Sequence, residues 1–308
     1  MEHPVIERYL GPHIWEKVGK DPTIRRLVRL INTSGGEYSL QLRENYFNIY
    51  YQGNSLAKVI PNKNGTYSAV IHREFLQLDK WDRILGKLKQ YSSSSEISRN
   101  VKGSRRYVTF RIHPGKLYHF FQSEHLKALS SNIRAVHSGE EITFEQVLIT
   151  DNPPSNNFII IDRQVADHKN KRQMDLLALK RASVDKPFHF VVIELKLGKN
   201  PELHGKVGDQ LNKYVKHIRK FMKDYVGSYK ETYRQKKHLG LFDSSLPNDI
   251  EIDKNTVEGL IVVGGYSGLA KKALANLCHN IKENRWDIKV QQMRNEIKMD
   301  NKSYCDKP

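Results

Sequence analysis

The sequence predicts an α/β protein in two parts: an N-terminal α+β region built around an antiparallel meander, and a C-terminal mixed-sheet core with flanking helices. Three observations predict it. Between residues 38 and 71, short apolar-alternating runs are separated by turn residues, the period-2 signature of half-buried strands. Beyond residue 150 the apolar runs become nearly continuous, as in strands covered on both faces. Segments of helical spacing alternate with those strands, which is the α/β order. The division falls near His137-Ser138-Gly139, separating residues 1–137 from 138–308.

Asp21-Pro22 opens the first long helix, with Asp as N-cap and Pro at the first helical position. Ile24, Leu27, Val28 and Ile31 follow at helical spacing. Residues 38–42, 46–51, 56–60 and 67–71 read as strands, with turns at 52–54 and 62–65. Residues 75–88 read as helix, 91–96 as a polar loop, and 116–136 as helix. In the second part a short helix over 141–149 is ended by Asn152-Pro153-Pro154. Strands over 158–162, 174–179 and 188–196 follow. A long helix over 204–225 carries Val207, Leu211, Val215, Ile218 and Met222 on one stripe. A strand over 257–264, a helix over 267–281 and a strand over 288–292 complete the order.

The 308 residues include 51 Lys+Arg against 34 Asp+Glu, a formal charge of +17. The excess is +10 over residues 1–140 and +7 over 141–308, so neither half alone carries it. Such a surplus points to a polyanion, either nucleic acid or an acidic membrane surface. Six basic and no acidic residues lie from Arg99 to Lys116, Arg105 and Arg106 among them. Two cysteines, Cys278 and Cys305, cannot build a disulfide framework or a cysteine zinc site. The thirteen histidines show no close metal-ligand spacing. The apolar runs are strand-length, and the first residues lack a signal-peptide pattern. Together these predict a cytoplasmic protein without membrane attachment.

Three polar residues interrupt the apolar strands: Asp175, Glu194 and Lys196. A buried carboxylate needs a partner or a metal to offset its desolvation. Glu194 and Lys196 are two apart, so they share one side of a strand at about 6–7 Å. If the strand bearing Asp175 is its neighbour, both carboxylates and the ammonium meet. Paired carboxylates suit a hard cation such as Mg²⁺, which polarises a phosphate oxygen and acidifies a bound water. The lysine can then orient that water or stabilise developing charge. The acid-x-Lys doublet alone is cheap: Asp167/Lys169, Asp287/Lys289, Glu296/Lys298 and Asp300/Lys302 repeat it. The competing reading of Glu194 and Lys196 is a plain ion pair on an edge strand.

With an apolar strand around it, a strand-borne Asp before it and a helix after it, the 194–196 segment resembles the PD-(D/E)XK nuclease superfamily. The resemblance covers residues 140–292 and implies a restriction-endonuclease-like core; the first 130 or so residues resemble no family. It assigns Asp175 to the motif aspartate and Glu194-Leu195-Lys196 to E-x-K. It implies a helix glutamate at Glu145, with Glu141 one turn earlier as the alternative, and a helix Gln-Tyr pair at Gln210 and Tyr214. Met174 stands where many members carry proline.

The resemblance implies a Mg²⁺-dependent (or Mn²⁺-dependent) endodeoxyribonuclease of restriction, repair or anti-phage type. Asp175, Glu194 and Glu145 would hold the metal, Lys196 would act on water or transition-state charge, and Gln210 would orient the site. Phosphate contacts would come from Arg105, Arg106, Lys213, Lys216, Arg219 and Lys220, with Tyr214 beside them. Double-strand cutting would call for two active sites and hence a homodimer. The rival from another class is a nucleic-acid-binding protein whose nuclease-like core no longer cuts. On either reading the +17 charge predicts DNA affinity that falls steeply as salt rises; a flat salt titration of binding would remove the polyanion argument.

Overall fold

The structure, a computed structural model, describes residues 4–76, 82–98, 106–136, 139–169 and 173–293. The first part runs α1 (Pro12–Val18), α2 (Pro22–Asn32), β1 (Tyr38–Arg43), β2 (Tyr46–Tyr51), β3 (Asn54–Pro61), β4 (Tyr67–His72), α3 (Arg73–Leu76), α4 (Asp82–Lys89), β5 (Ser92–Ser98), β6 (Tyr107–Ile112), α5 (Leu117–Phe120) and α6 (Ser123–Val136). The second runs α7 (Glu140–Asp151), β7 (Phe158–Val165), β8 (Met174–Lys180), β9 (Phe188–Leu197), a 3-10 turn (Pro201–His204), α8 (Lys206–Lys220), α9 (Met222–Leu239), β10 (Ile252–Gly264), α10 (Ser267–Glu283) and β11 (Ile288–Gln292).

The expected start of α2 is present: Asp21 Oδ1 accepts from Thr23 N at 2.7 Å, with Pro22 at the first helical position. The meander extends into a six-stranded antiparallel sheet of order β1-β2-β3-β4-β6-β5. Gln52 and Gly53, both at positive φ, close the β2–β3 hairpin as a tight turn requires. A Cβ at Gly53 would lie 2.1 Å from Ile142 of α7, so the turn can approach that helix only as glycine.

Two expectations fail in this part. The serine run expected as a loop is β5, an edge strand paired with β6. The helix expected over 116–136 breaks between Phe120 and Phe121, which stack edge-on at 4.9 Å and are both fully buried. Adjacent residues on one helix point about 100° apart, so burying both rings turns the chain. Arg99, Lys102 and Arg105 lie outside the described residues, as do His137 and Ser138 at the expected boundary.

The second sheet is mixed, with order β11-β10-β9-β8-β7. β7, β8 and β9 are antiparallel, while β9, β10 and β11 run parallel. Leu177, Leu179, Phe190 and Val192 pack toward the residues of α8, α9 and α10. Leu176, Ala178, Val191 and Ile193 pack on the other face against Phe144, Leu148 and Ile149 of α7. Cover on both faces explains the continuous apolar runs. The expected single helix over 204–225 is instead the 3-10 turn, α8 and α9, with the break at Phe221. There α9 starts a new stripe of Tyr225, Tyr229 and Tyr233, all fully buried.

The two sheets meet around one buried carboxylate. Asp162 of β7 pairs with Arg8 (2.8 Å) and Arg43 (2.6 Å) and accepts from Tyr229 Oη at 2.9 Å. Arg43 also donates to the carbonyl of Arg163 at 2.8 Å. Lys236 donates to Gln41 Oε1 at 2.6 Å and to the carbonyl of Ile161. The chain start joins in: the backbone N–H groups of Val5, Arg8 and Leu10 donate to Asp224, Ser228 and Gln235 of α9. The residue 137/138 division therefore does not bound the packing, since Ile6 belongs to the apolar cluster of the second part and Leu239 to that of the first.

Burial alone would raise the Asp162 carboxyl, but Arg43, Arg8 and Lys236 outweigh it and hold it near about 2, against an ordinary 3.8. Lys236 goes the other way, to about 7, chiefly through burial. A carboxyl depressed on folding stabilises the fold above its unfolded pKa and loses that contribution as pH falls toward its folded one. Asp162→Ala leaves two buried guanidinium groups without their counter-charge. It is expected to lower unfolding free energy by about 3–5 kcal/mol in urea titrations at neutral pH. The difference from wild type should shrink as pH drops below about 4 toward 2.

Candidate functional site

The β8/β9 register pairs Leu177 with Val192 and Leu176 with Ile193. Continued by one residue, it sets Asp175 across from Glu194. Alternation along the strands then puts Asp175, Glu194 and Lys196 on the face that looks toward α8. Asp175 Oδ2 accepts from the backbone N–H of Leu195 at 2.9 Å, fixing the carboxylate against β9. Glu194 Oε1 lies 3.0 Å from Lys196 Nζ and accepts from Gln210 Nε2 at 3.0 Å. Gln210 is held in turn by the hydroxyl of Tyr214 at 3.2 Å, and Tyr214 donates to the carbonyl of Gln173 at 2.9 Å.

Two further carboxylates close the ring. Lys196 Nζ reaches Glu202 Oε2 at 3.3 Å. Glu141 Oε1 accepts from Asn200 Nδ2 at 2.8 Å and from the N–H of Leu197 at 3.5 Å. Asn200 also caps the 3-10 turn, accepting from Glu202 N at 2.9 Å. One lysine thus sits among the carboxylates of Asp175, Glu194, Glu202 and Glu141.

The charge balance is unfavourable to the acids. Glu194 is 1% exposed, and burial followed by the Asp175 charge pushes its carboxyl up to about 7 from 4.5. Burial also raises Asp175, against the Leu195 N–H and Lys196, which pull it down. Burial pulls the Lys196 ammonium down, but Glu194 and Asp175 outweigh it and keep it charged. Glu194 Oε2 is buried with no hydrogen-bond partner among the described residues. An unpaired buried carboxylate oxygen costs free energy unless something else binds it.

The remaining expected residues separate. Burial raises the Glu145 carboxyl, and Asp175 lies near enough for its charge to raise it further, but Glu145 Oε1 is taken by Arg163, accepting from Nε (2.9 Å) and Nη2 (2.5 Å) of that fully buried side chain. Its turn-earlier alternative, Glu141, is the helix acid that reaches β9. Tyr214 does not contact a ligand surface, because it is buried and spent on Gln210 and Gln173. Arg219 is exposed but clasps Asp287 (2.6 Å) and the carbonyl of Val257 (2.9 Å). Lys213, Lys216 and Lys220 are exposed on α8, Lys213 being one turn from Gln210. Arg219 and Lys220 lie about 14 Å from Gln210 along the helix axis. Arg106 is exposed at the start of β6, in the other sheet, and Arg105 lies outside the described residues.

Of the other doublets, Glu296/Lys298 and Asp300/Lys302 lie outside the described residues, and the remaining two have ordinary partners. Asp167 accepts from Tyr225 Oη and contacts His217, and Lys289 pairs with Glu258. Glu202 and Asn200 were missed because an Asn-Pro-Glu turn after a strand reads as a helix cap. Their signal was their distance, six and four residues past Lys196. A cleft of about 590 Å³ lies on the opposite face of the sheet, lined by Val191, Ile193, Leu260 and Val262, away from the carboxylates.

Among the described residues no group of three or more His, Cys, Asp and Glu side chains is placed to hold a metal ion. The pair Asp175 and Glu194, with the unpartnered Oε2, is a two-carboxylate donor set, which suits an ion that keeps most of its waters. No protein-family model, curated protein or solved structure matches this chain. No helix among the described residues is long and apolar enough to cross a membrane.

A carboxyl raised on folding binds its proton more tightly in the folded chain, so its contribution to stability falls as pH rises through that interval. For Glu194 the interval runs from 4.5 to about 7. Glu194→Gln is expected to flatten the decline in unfolding free energy across that range, read by urea titrations at several pH values. An unchanged slope would show that Glu194 does not titrate there.

Proposed function

We propose that the chain is a metal-dependent nuclease of the PD-(D/E)XK kind, with a restriction-endonuclease-like core over residues 140–292 and DNA as the favoured substrate. What carries the reading is the unpartnered Oε2 of buried Glu194, on the side of the strand shared with Lys196 and faced by Asp175. A structural ion pair would be expected to use both carboxylate oxygens; this one leaves an acceptor unused at high cost. The order helix, three antiparallel strands, helix, parallel strand supports the same reading.

Asp175 and Glu194 are the residues that would hold Mg²⁺ or Mn²⁺, with Glu141 rather than Glu145 as the further helix acid. The ion would supply polarisation of a phosphate oxygen and a more acidic bound water. The chain supplies the rest. The Leu195 N–H fixes Asp175, and the Gln210 amide fixes Glu194. Lys196 Nζ, held between Glu194 and Glu202, presents an ammonium to an incoming phosphate or to the attacking water. Exposed Lys213 and Lys216 extend positive charge along α8 from that point. The complete Asp175–Glu194–Lys196 set favours cutting over a core that only binds. A cytoplasmic location and a homodimer for double-strand cutting belong to the same proposal.

The test is cleavage of plasmid and oligonucleotide DNA with Mg²⁺ or Mn²⁺, with EDTA as control. Asp175→Ala, Glu194→Ala and Lys196→Ala are each expected to lower the rate by about a hundredfold or more. Glu145→Gln should lower stability more than turnover of the folded fraction. Cutting by wild type that survives all three alanine variants would overturn the site. Tight binding without cutting by wild type would favour the binding-only reading.

A further inference from the structure

Five large apolar side chains are exposed among the described residues, and two of them, Tyr266 (46%) and Leu269 (69%), lie three residues apart beside the carboxylate ring. Tyr266 links β10 to α10, and its hydroxyl donates to Glu140 Oε1 at 3.2 Å. Glu140 is the chain neighbour of Glu141. Lys199, three residues past Lys196, pairs with Glu140 and lies 4.5 Å from the centre of the Tyr266 ring. Helix α10 packs against the 3-10 turn that carries Glu202. The two apolar groups are thus tied to the site through three separate elements.

Their presentation is fixed. Tyr266 sits at φ 47°, ψ 41°, a left-handed conformation that is unfavourable for a bulky residue. Its loop is pinned to the end of β9: a Cβ on Gly198 would meet the carbonyl oxygens of Gly265 and Tyr266 at 2.6 Å each. Gly198 N also donates to the Gly264 carbonyl at 3.0 Å. Leu269 is on the first turn of α10, where its N–H donates to the Tyr266 carbonyl at 3.0 Å. Lys272 follows one turn on, so Leu269 and Lys272 share a helix face, with Lys271 exposed next to it. An aromatic and an aliphatic side chain flanked by exposed Lys271 and Lys272 match a ligand with flat apolar faces and an anionic backbone.

We infer that Tyr266 and Leu269 form an apolar wedge that enters the base stack of bound nucleic acid beside the scissile phosphate, so that substrates with unpaired bases there are preferred. The inference rests on the nuclease reading and names its substrate class. Unstacking a paired step costs free energy that an unpaired base does not demand, and stacking on the ring recovers some of it.

The experiment is binding of the full chain, in EDTA so that nothing is cut, to two DNA duplexes that differ only by one central unpaired base. Wild type is expected to bind the unpaired duplex about tenfold more tightly, from the usual strength of base–aromatic stacking. Y266A/L269S should abolish that preference while matched-duplex affinity changes less than about twofold, and Y266W should keep it. Thermal melting of each variant checks folding. Wild type binding both duplexes equally, or Y266A/L269S keeping the preference, overturns the wedge and leaves the nuclease reading standing. Wild type binding neither duplex overturns both.

Discussion

The antiparallel register of β8 on β9 decides what the second sheet can do. Shifted by one residue, Asp175 would pass to the α7 face, among Leu176's present neighbours, and Glu194 would face no acid. The register is held mainly by apolar side chains. Leu177, Leu179, Phe190 and Val192 fill one face, and Leu176, Ala178, Val191 and Ile193 fill the other. Both faces are buried, so a slip would expose no compensating surface. The packing carries the carboxylates to one another, and the Asp175 bond to the Leu195 N–H adds a polar tie to the same register.

Asp162 and Glu194 are both almost fully buried acids, but their charges are met in opposite ways. Asp162 meets two guanidinium groups and a tyrosine hydroxyl, and its carboxyl falls to about 2. Glu194 meets one ammonium and one amide, faces another acid, and rises to about 7. Over-compensated charge is how a fold secures a joint between layers. Under-compensated charge is a cost that packing elsewhere must offset, and such costs gather where a ligand supplies the missing interaction. Arg163, next in sequence to Asp162, shows how close the two regimes lie: it neutralises Glu145 one turn from Glu141.

The strands, the helix order and the Asp175–Glu194–Lys196–Gln210 set were legible because each rests on a local pattern: period, strand polarity or i,i+4 spacing. The different partners of Glu141 and Glu145 were not, since i and i+4 lie on one helix face and only tertiary contact distinguishes them. The Arg163 that pairs with Glu145 comes from β7, and nothing in the helix segment announces it. The break at Phe221 was equally hidden, because the stripe ending at Met222 and that beginning at Tyr225 run together as one helical pattern. Strand β5 was hidden by composition: serine favours turns in isolation, and its pairing with β6 is a long-range fact. The charge clamp at Asp162 draws on residues 8, 43, 229 and 236, so no window of sequence contains it.

The N-terminal sheet is not an independent appendage to this site. The β2–β3 turn reaches α7 at Ile142, directly beside Glu141, and does so through a glycine whose Cβ would collide with that side chain. Gln164 Nε2 donates to the Gly53 carbonyl at 3.4 Å from the end of β7. Gln146, on the same helix, donates to the Gly36 carbonyl just before β1 at 2.8 Å. Helix α7 is therefore held from one side by the first sheet and from the other by the second, with Glu141 at its start. Anything that shifts the hairpin of β2 and β3 must move Ile142, and through it the acid that touches Leu197 and Asn200. Both sheets therefore pack on the helix that carries Glu141.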